Sequence, residues 1–125
     1  MVRDNNIHPA SLNGQIRYLE IPSNNINESA SFYNKVFGWK IRNRRDGSIA
    51  FDDSGRAVSG TWKSDRKPHP ESGIMIYIMV DDVAATLKAI VANGGKVVEP
   101  KYGTFPQFIA TFCDPSGNIF GIFQE

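Results

Sequence analysis

One cysteine and two histidines are the only thiol and imidazole donors among the 125 residues of this chain. A lone Cys113 has no partner for an internal disulfide, so a reducing, cytoplasmic setting is expected. Cys113 adjoins Asp114 and lacks an obvious base, which reads as a small packed apolar residue rather than a nucleophile. No secretory segment follows the start, and no apolar run approaches the roughly 20 residues that a membrane span needs. Neither sign of charge is in excess: the net charge of +1 argues for neither a nucleic-acid partner nor a membrane surface. The basic clusters Arg42-Asn43-Arg44-Arg45 and Lys63-Ser64-Asp65-Arg66-Lys67 are short and mixed with polar residues, and read as solvated loops.

What remains is an ordinary globular composition, 41% hydrophobic and 22% charged, of a length that suits one domain. Residues 1–13 are polar and aperiodic and are expected to form a flexible tail. Gln15 to Ile21 then reads as a strand. Asn24-Asn25 offer caps, with Glu28 in a capping-box-like position. Ile26, Ala30, Tyr33 and Phe37 recur at helical spacing, and Gly38 supplies the stop. The plan repeats. Ile74 to Val80 is a strand, Asp81-Asp82 are caps, Val83, Leu87, Ile90 and Val91 form a helical stripe, and Gly94-Gly95 end it. A later shift lays FDDSGRAVSG (51–60) over CDPSGNIFGI (113–122), matching Asp52, Ser54 and Gly55 to Asp114, Ser116 and Gly117. The expected organisation is a single α+β domain over 14–125. Its two tandem βαβββ modules, 14–62 and 72–125, are joined by the polar linker 63–71.

Strand alternation divides the candidate site from the core. Ile74, Ile76, Ile78 and Val80 suit the helix-packed face, and Met75, Tyr77 and Met79 an adaptable concave face presented to the twin module. In the first strand Leu19 and Ile21 belong under the helix, while Tyr18 and Glu20 point into the concavity. An inward carboxylate implies a wet or paired environment; an edge strand, with Glu20 meeting water or a neighbouring Arg, is the plain alternative. Gly121 interrupts the last strand, Ile119 to Phe123, and is expected to open the cleft beside Met75 and Tyr18. On that expectation Gly121→Phe would fill the cleft with little change in melting temperature.

The stretches YLEIPSNNINESASFYNKVFGWKI (18–41), IYIMVDDVAATLKAIVANGGKVVEP (76–100) and DPSGNIFGIF (114–123) resemble the vicinal oxygen chelate superfamily of glyoxalases, bleomycin-resistance proteins and extradiol dioxygenases. The branch of enzymes related to lactoylglutathione lyase is the most similar. The resemblance implies curled mixed sheets around a cleft. It also implies homodimers, and metal ligands on the first and last strands of each module. Carried onto this chain, those positions are Tyr18, Met75, Ser59 (or Gly60) and Gly121, a set without His, Glu or Asp, so no metal or other cofactor is expected. Two functions follow. One is binding of a small hydrophobic or aromatic molecule by Tyr18, Glu20, Ser59, Trp62, Met75, Tyr77, Met79, Gly121 and Phe123. The other is a metal-independent lyase or isomerase, with Glu20 as general base and Tyr18 or Tyr77 as proton donor.

Overall fold

The computed structural model describes residues 13, 15–68 and 74–125. Most of the expected tail, part of the expected linker, and His8 and His69 lie outside the described residues. The first module runs β1 (Tyr18–Pro22), α1 (Ile26–Phe37), β2 (Lys40–Asn43), β3 (Ile49–Asp52) and β4 (Ser59–Lys63). The second repeats it as β5 (Tyr77–Met79), α2 (Val83–Ala92), β6 (Lys96–Thr104), β7 (Gln107–Cys113) and β8 (Ile119–Gln124). Each module is one mixed sheet, ordered β1-β4-β3-β2 and β5-β8-β7-β6. The first and last strands of each module pair in parallel and the other neighbours antiparallel. This is the expected α+β architecture of two βαβββ units.

Both helices start as their sequences dictate. The Asn25 side chain accepts from Glu28 N and that of Asp82 from Ala85 N, satisfying amides that the first turn leaves unpaired. Gly38 closes α1 in the left-handed region at φ 73°, where its N–H donates to Asn34 O. The strands are shorter than the sequence suggests: β5 keeps only three of the residues from Ile74 to Val80. Its pairing extends one residue further each way, through Gly121 N to Ile76 O and Val80 N to Phe123 O.

The modules meet differently from the expectation. Instead of presenting their second faces to each other, they share one core on the helix side, with α1 as its centre. Tyr33, fully buried, stacks on Trp39 at 4.5 Å and contacts Trp62 and Phe120 at 5.9 Å. Phe32 and Phe37 reach Phe112 of β7. Aromatic side chains bury large apolar areas and gain further from tilted and stacked contacts, so this cluster dominates the packing. The other faces stay open: Tyr18, Tyr77 and Met79 are 48%, 50% and 62% exposed.

A polar clamp reinforces the joint. Asp114, 2% exposed, accepts from the N–H groups of Ser116 and Asn118, from the Asn118 side chain, and from the Tyr33 hydroxyl at 2.8 Å. Asn118 also donates to Pro22 O, and Ser116 Oγ accepts from Asn24 N. The DPSGN turn therefore does more than reverse the chain: it fastens the second module to β1 and α1 of the first. Its counterpart is Asp53, not Asp52 as the sequence shift suggested. Asp53 N donates to Val58 O as Asp114 N donates to Asn118 O, and its carboxylate likewise accepts two amides of its own turn.

Candidate functional site

The open face of the first sheet is polar. Residues paired across neighbouring strands share a face, so Tyr18 with Ser59, Glu20 with Thr61, and Lys40 with Asp52 all lie on the face away from the core, where Ser59 and Thr61 are themselves buried. Arg42 holds Asp52 through Nε at 2.8 Å and Nη2 at 3.2 Å, and Ser59 Oγ donates to the same carboxylate at 2.6 Å. Partial burial acts to raise the Asp52 pKa, but these hydrogen bonds outweigh it and hold the group below the ordinary 3.8. Glu20 forms an ion pair with Arg66 at 2.5 Å, and β1 is an edge strand. The plain alternative for Glu20 thus describes its surroundings: the carboxylate is both paired and exposed to water. Arg44 donates to the Tyr18 hydroxyl at 2.6 Å.

The open face of the second sheet is apolar. Tyr77 and Met79 project from it as alternation predicted, beside Gly121 and Phe123, with which they pair. Met75 precedes β5, and Ile74 and Ile76, expected under the helix, are exposed there instead, because the strand does not extend that far. Gly121 does not open a gap there. A Cβ at this position would lie 2.4 Å from Cδ1 and Cε1 of Tyr77, because the tyrosine ring lies across the glycine backbone. The glycine accommodates its cross-strand neighbour, an arrangement known to compensate glycine in sheets. The expectation that Gly121→Phe would be silent for stability is therefore withdrawn. Instead, Gly121→Ala is expected to lower unfolding free energy by about 1–3 kcal/mol through overpacking. In a Tyr77→Ala background the same change should be nearly neutral. Urea denaturation of the four variants of this cycle measures the coupling, and equal losses in both backgrounds would show that the ring is not what the glycine accommodates.

Trp62 also needs correction. It pairs with Ile21, not with the Tyr18 row, and it is 2% exposed against Phe51 and Tyr33 in the shared core. It therefore does not line an open face. Of the remaining expected residues, Tyr18, Glu20 and Ser59 lie on one sheet and Met75, Tyr77, Met79, Gly121 and Phe123 on the other. Two cavities lie along the seam between β1 and β5, and neither holds members of both sets. A cavity of about 420 Å³ joins Glu20 and Arg66 to Ile74, Ile76 and Ile119. A more apolar one of about 380 Å³ runs along Ile76, Tyr77 and Met79 to Leu19, Trp39 and Phe51. Ile76 and Phe120 wall both.

Residues 15–122 match the Glyoxalase/Bleomycin resistance protein/Dioxygenase superfamily. The chain belongs to that superfamily. A glyoxylase-like domain-containing protein from Didymella fabae is 32% identical over 123 residues, covering 89% of this chain and 94% of its own. Among solved structures, a family enzyme from Burkholderia phytofirmans is similar with a TM-score of 0.69 at 18% identity, covering 89% of this chain and 98% of its own. A glyoxalase-related enzyme from Fulvimarina pelagi gives 0.69 at 20% identity, covering 90% and 88%. At such identities the structures establish the fold alone.

The superfamily's metal positions can now be placed by register. Gly121 pairs with Thr111 of β7, and the residue of the first module that occupies the same place, opposite Ala50 of β3, is Thr61. The equivalent position is thus neither Ser59 nor Gly60. The donor set becomes Tyr18, Thr61, Met75 and Gly121, and the Thr61 hydroxyl is committed to Ile49 O at 2.6 Å. Neutral hydroxyls and a thioether do not fit a divalent ion that needs carboxylate or imidazole ligands. Among the described residues no group of three or more His, Cys, Asp or Glu could hold a metal.

Proposed function

We propose that this superfamily member binds a small hydrophobic or aromatic molecule against its open sheet faces, and does so as a homodimer without a bound metal. The observation that carries this is the pairing of an unsuitable metal-donor set with an exposed row of Met75, Tyr77 and Met79. Methionine and tyrosine side chains adapt to flat apolar ligands, and seam cavities of about 380 and 420 Å³ are of a size that small molecules fill. Exposed large apolar side chains on one face likewise suit burial against a second copy. Glu20 would serve as a polar anchor. Its ion pair with Arg66 favours that role over general-base chemistry, because a base must first be released from its guanidinium.

Native mass spectrometry of freshly purified protein tests both parts in one measurement. The expected spectrum is a dimer carrying an organic adduct. A bare monomer that also fails to bind any of a panel of naphthalene and biphenyl compounds would overturn the proposal.

A further inference from the structure

We propose that the Tyr18 hydroxyl and the Arg44 guanidinium together bind the anionic group, a carboxylate or sulfonate, of an aromatic ligand. The inference rests on the small-molecule reading above and specifies the ligand's class. It starts from the charges on the open face of the first sheet. Backbone bonding between Arg44 N and Ser48 O continues the β2–β3 ladder one step past Asn43, so alternation puts the Arg44 side chain on the face of Lys40 and Arg42. Both carboxylates of that face already have partners: Asp52 is held by Arg42 and Ser59, and Glu20 by Arg66. Asp46, in the same hairpin, is turned back to the N–H and hydroxyl of Ser48; the Arg44 charge acts on it, but no direct ion pair forms. Among the described residues Arg44 forms no ion pair, and its partner is the neutral oxygen of Tyr18.

That contact organises the donors. Because Tyr18 Oη accepts from Arg44, its own proton is directed elsewhere. A guanidinium carries five N–H donors in a rigid fork, and the bond to Tyr18 takes one. Fork and hydroxyl thus stand side by side, with the hairpin fixing Arg44 through Arg44 N to Ser48 O at 2.9 Å and Gly47 N to Arg44 O at 3.0 Å. A half-buried guanidinium held in place, and in ion-pair contact with no carboxylate among the described residues, suits a planar carboxylate or a sulfonate.

Calorimetric titration at low salt with naphthoate and its neutral isostere naphthamide tests the assignment. Naphthoate is expected to bind about tenfold more tightly to the wild type, as charge-assisted bonding to a guanidinium would give. Arg44→Gln should erase that preference. Arg45→Gln, which removes the same charge from the neighbouring exposed residue, should retain it. Tyr18→Phe should reduce it. Equal affinity for both probes in the wild type, or a preference that survives Arg44→Gln, would overturn the anion site and leave the small-molecule reading standing. Binding of neither probe would overturn both.

Discussion

Asp114→Ala is expected to lower the free energy of unfolding by about 3–5 kcal/mol, because it leaves several buried donors unsatisfied at roughly 1–3 kcal/mol each. The substitution withdraws both acceptor oxygens at once. The amides of Ser116 and Asn118 lose Oδ1, and the Tyr33 hydroxyl and Asn118 side chain lose Oδ2. Tyr33 is fully buried, so water cannot replace the lost acceptor. Urea denaturation checks this, and a loss below about 1 kcal/mol, the net worth of one ordinary hydrogen bond, would show that the clamp is dispensable. The tyrosine adds a pH signature. Burial first, then the charge of Asp114 and the hydrogen bond to it, push the Tyr33 pKa well above 10.0. The fold keeps the neutral phenol, so this contribution is whole below pH 10 and is lost as pH climbs toward the folded-state value. Tyr33→Phe should flatten that alkaline loss while costing about 1.5–3 kcal/mol at neutral pH.

Trp62→Ala is expected to destabilise by a similar amount, about 3–5 kcal/mol, through the cavity left between Phe51 and Tyr33. Trp62→Phe, which retains most of the ring volume, should lose far less. Unfolding curves and naphthoate titrations on both variants separate a core role from a ligand-lining one. An Ala variant that stays fully stable yet no longer binds would return Trp62 to the ligand-binding face.

What was legible in the sequence was what depends on near neighbours. Asn25, Asp82 and Gly38 act within one helical turn, and the outward placement of Tyr77 and Met79 follows from alternation along a single strand, which fails for Ile74 and Ile76 where the strand has not begun. Trp62 was misplaced although the needed signal was present: three residues separate it from Ser59, and an odd separation puts two strand residues on opposite faces. The choice among Ser59, Gly60 and Thr61 was a different matter. Register across β3 and β4 depends on the length of the intervening turn, where residues Asp53 to Val58 do what Asp114 to Asn118 do with one residue fewer. The contacts that define the candidate anion site and the clamp were out of reach for a third reason. Arg44 meets Tyr18 and Tyr33 meets Asp114 only after the sheets have formed, across 26 and 81 residues of chain.

The position of α1 also sets a timetable for synthesis. Its aromatic side chains leave the ribosome together with β1 to β4, but the wall formed by Phe112 and Phe120 emerges last. Until then Phe32, Tyr33 and Phe37 each lack an aromatic neighbour and leave apolar surface exposed, which makes the nascent half-chain prone to aggregation. A chain cut in the segment between β4 and β5 would yield two pieces, each missing what the other supplies, and mixing them should restore the fold by complementation.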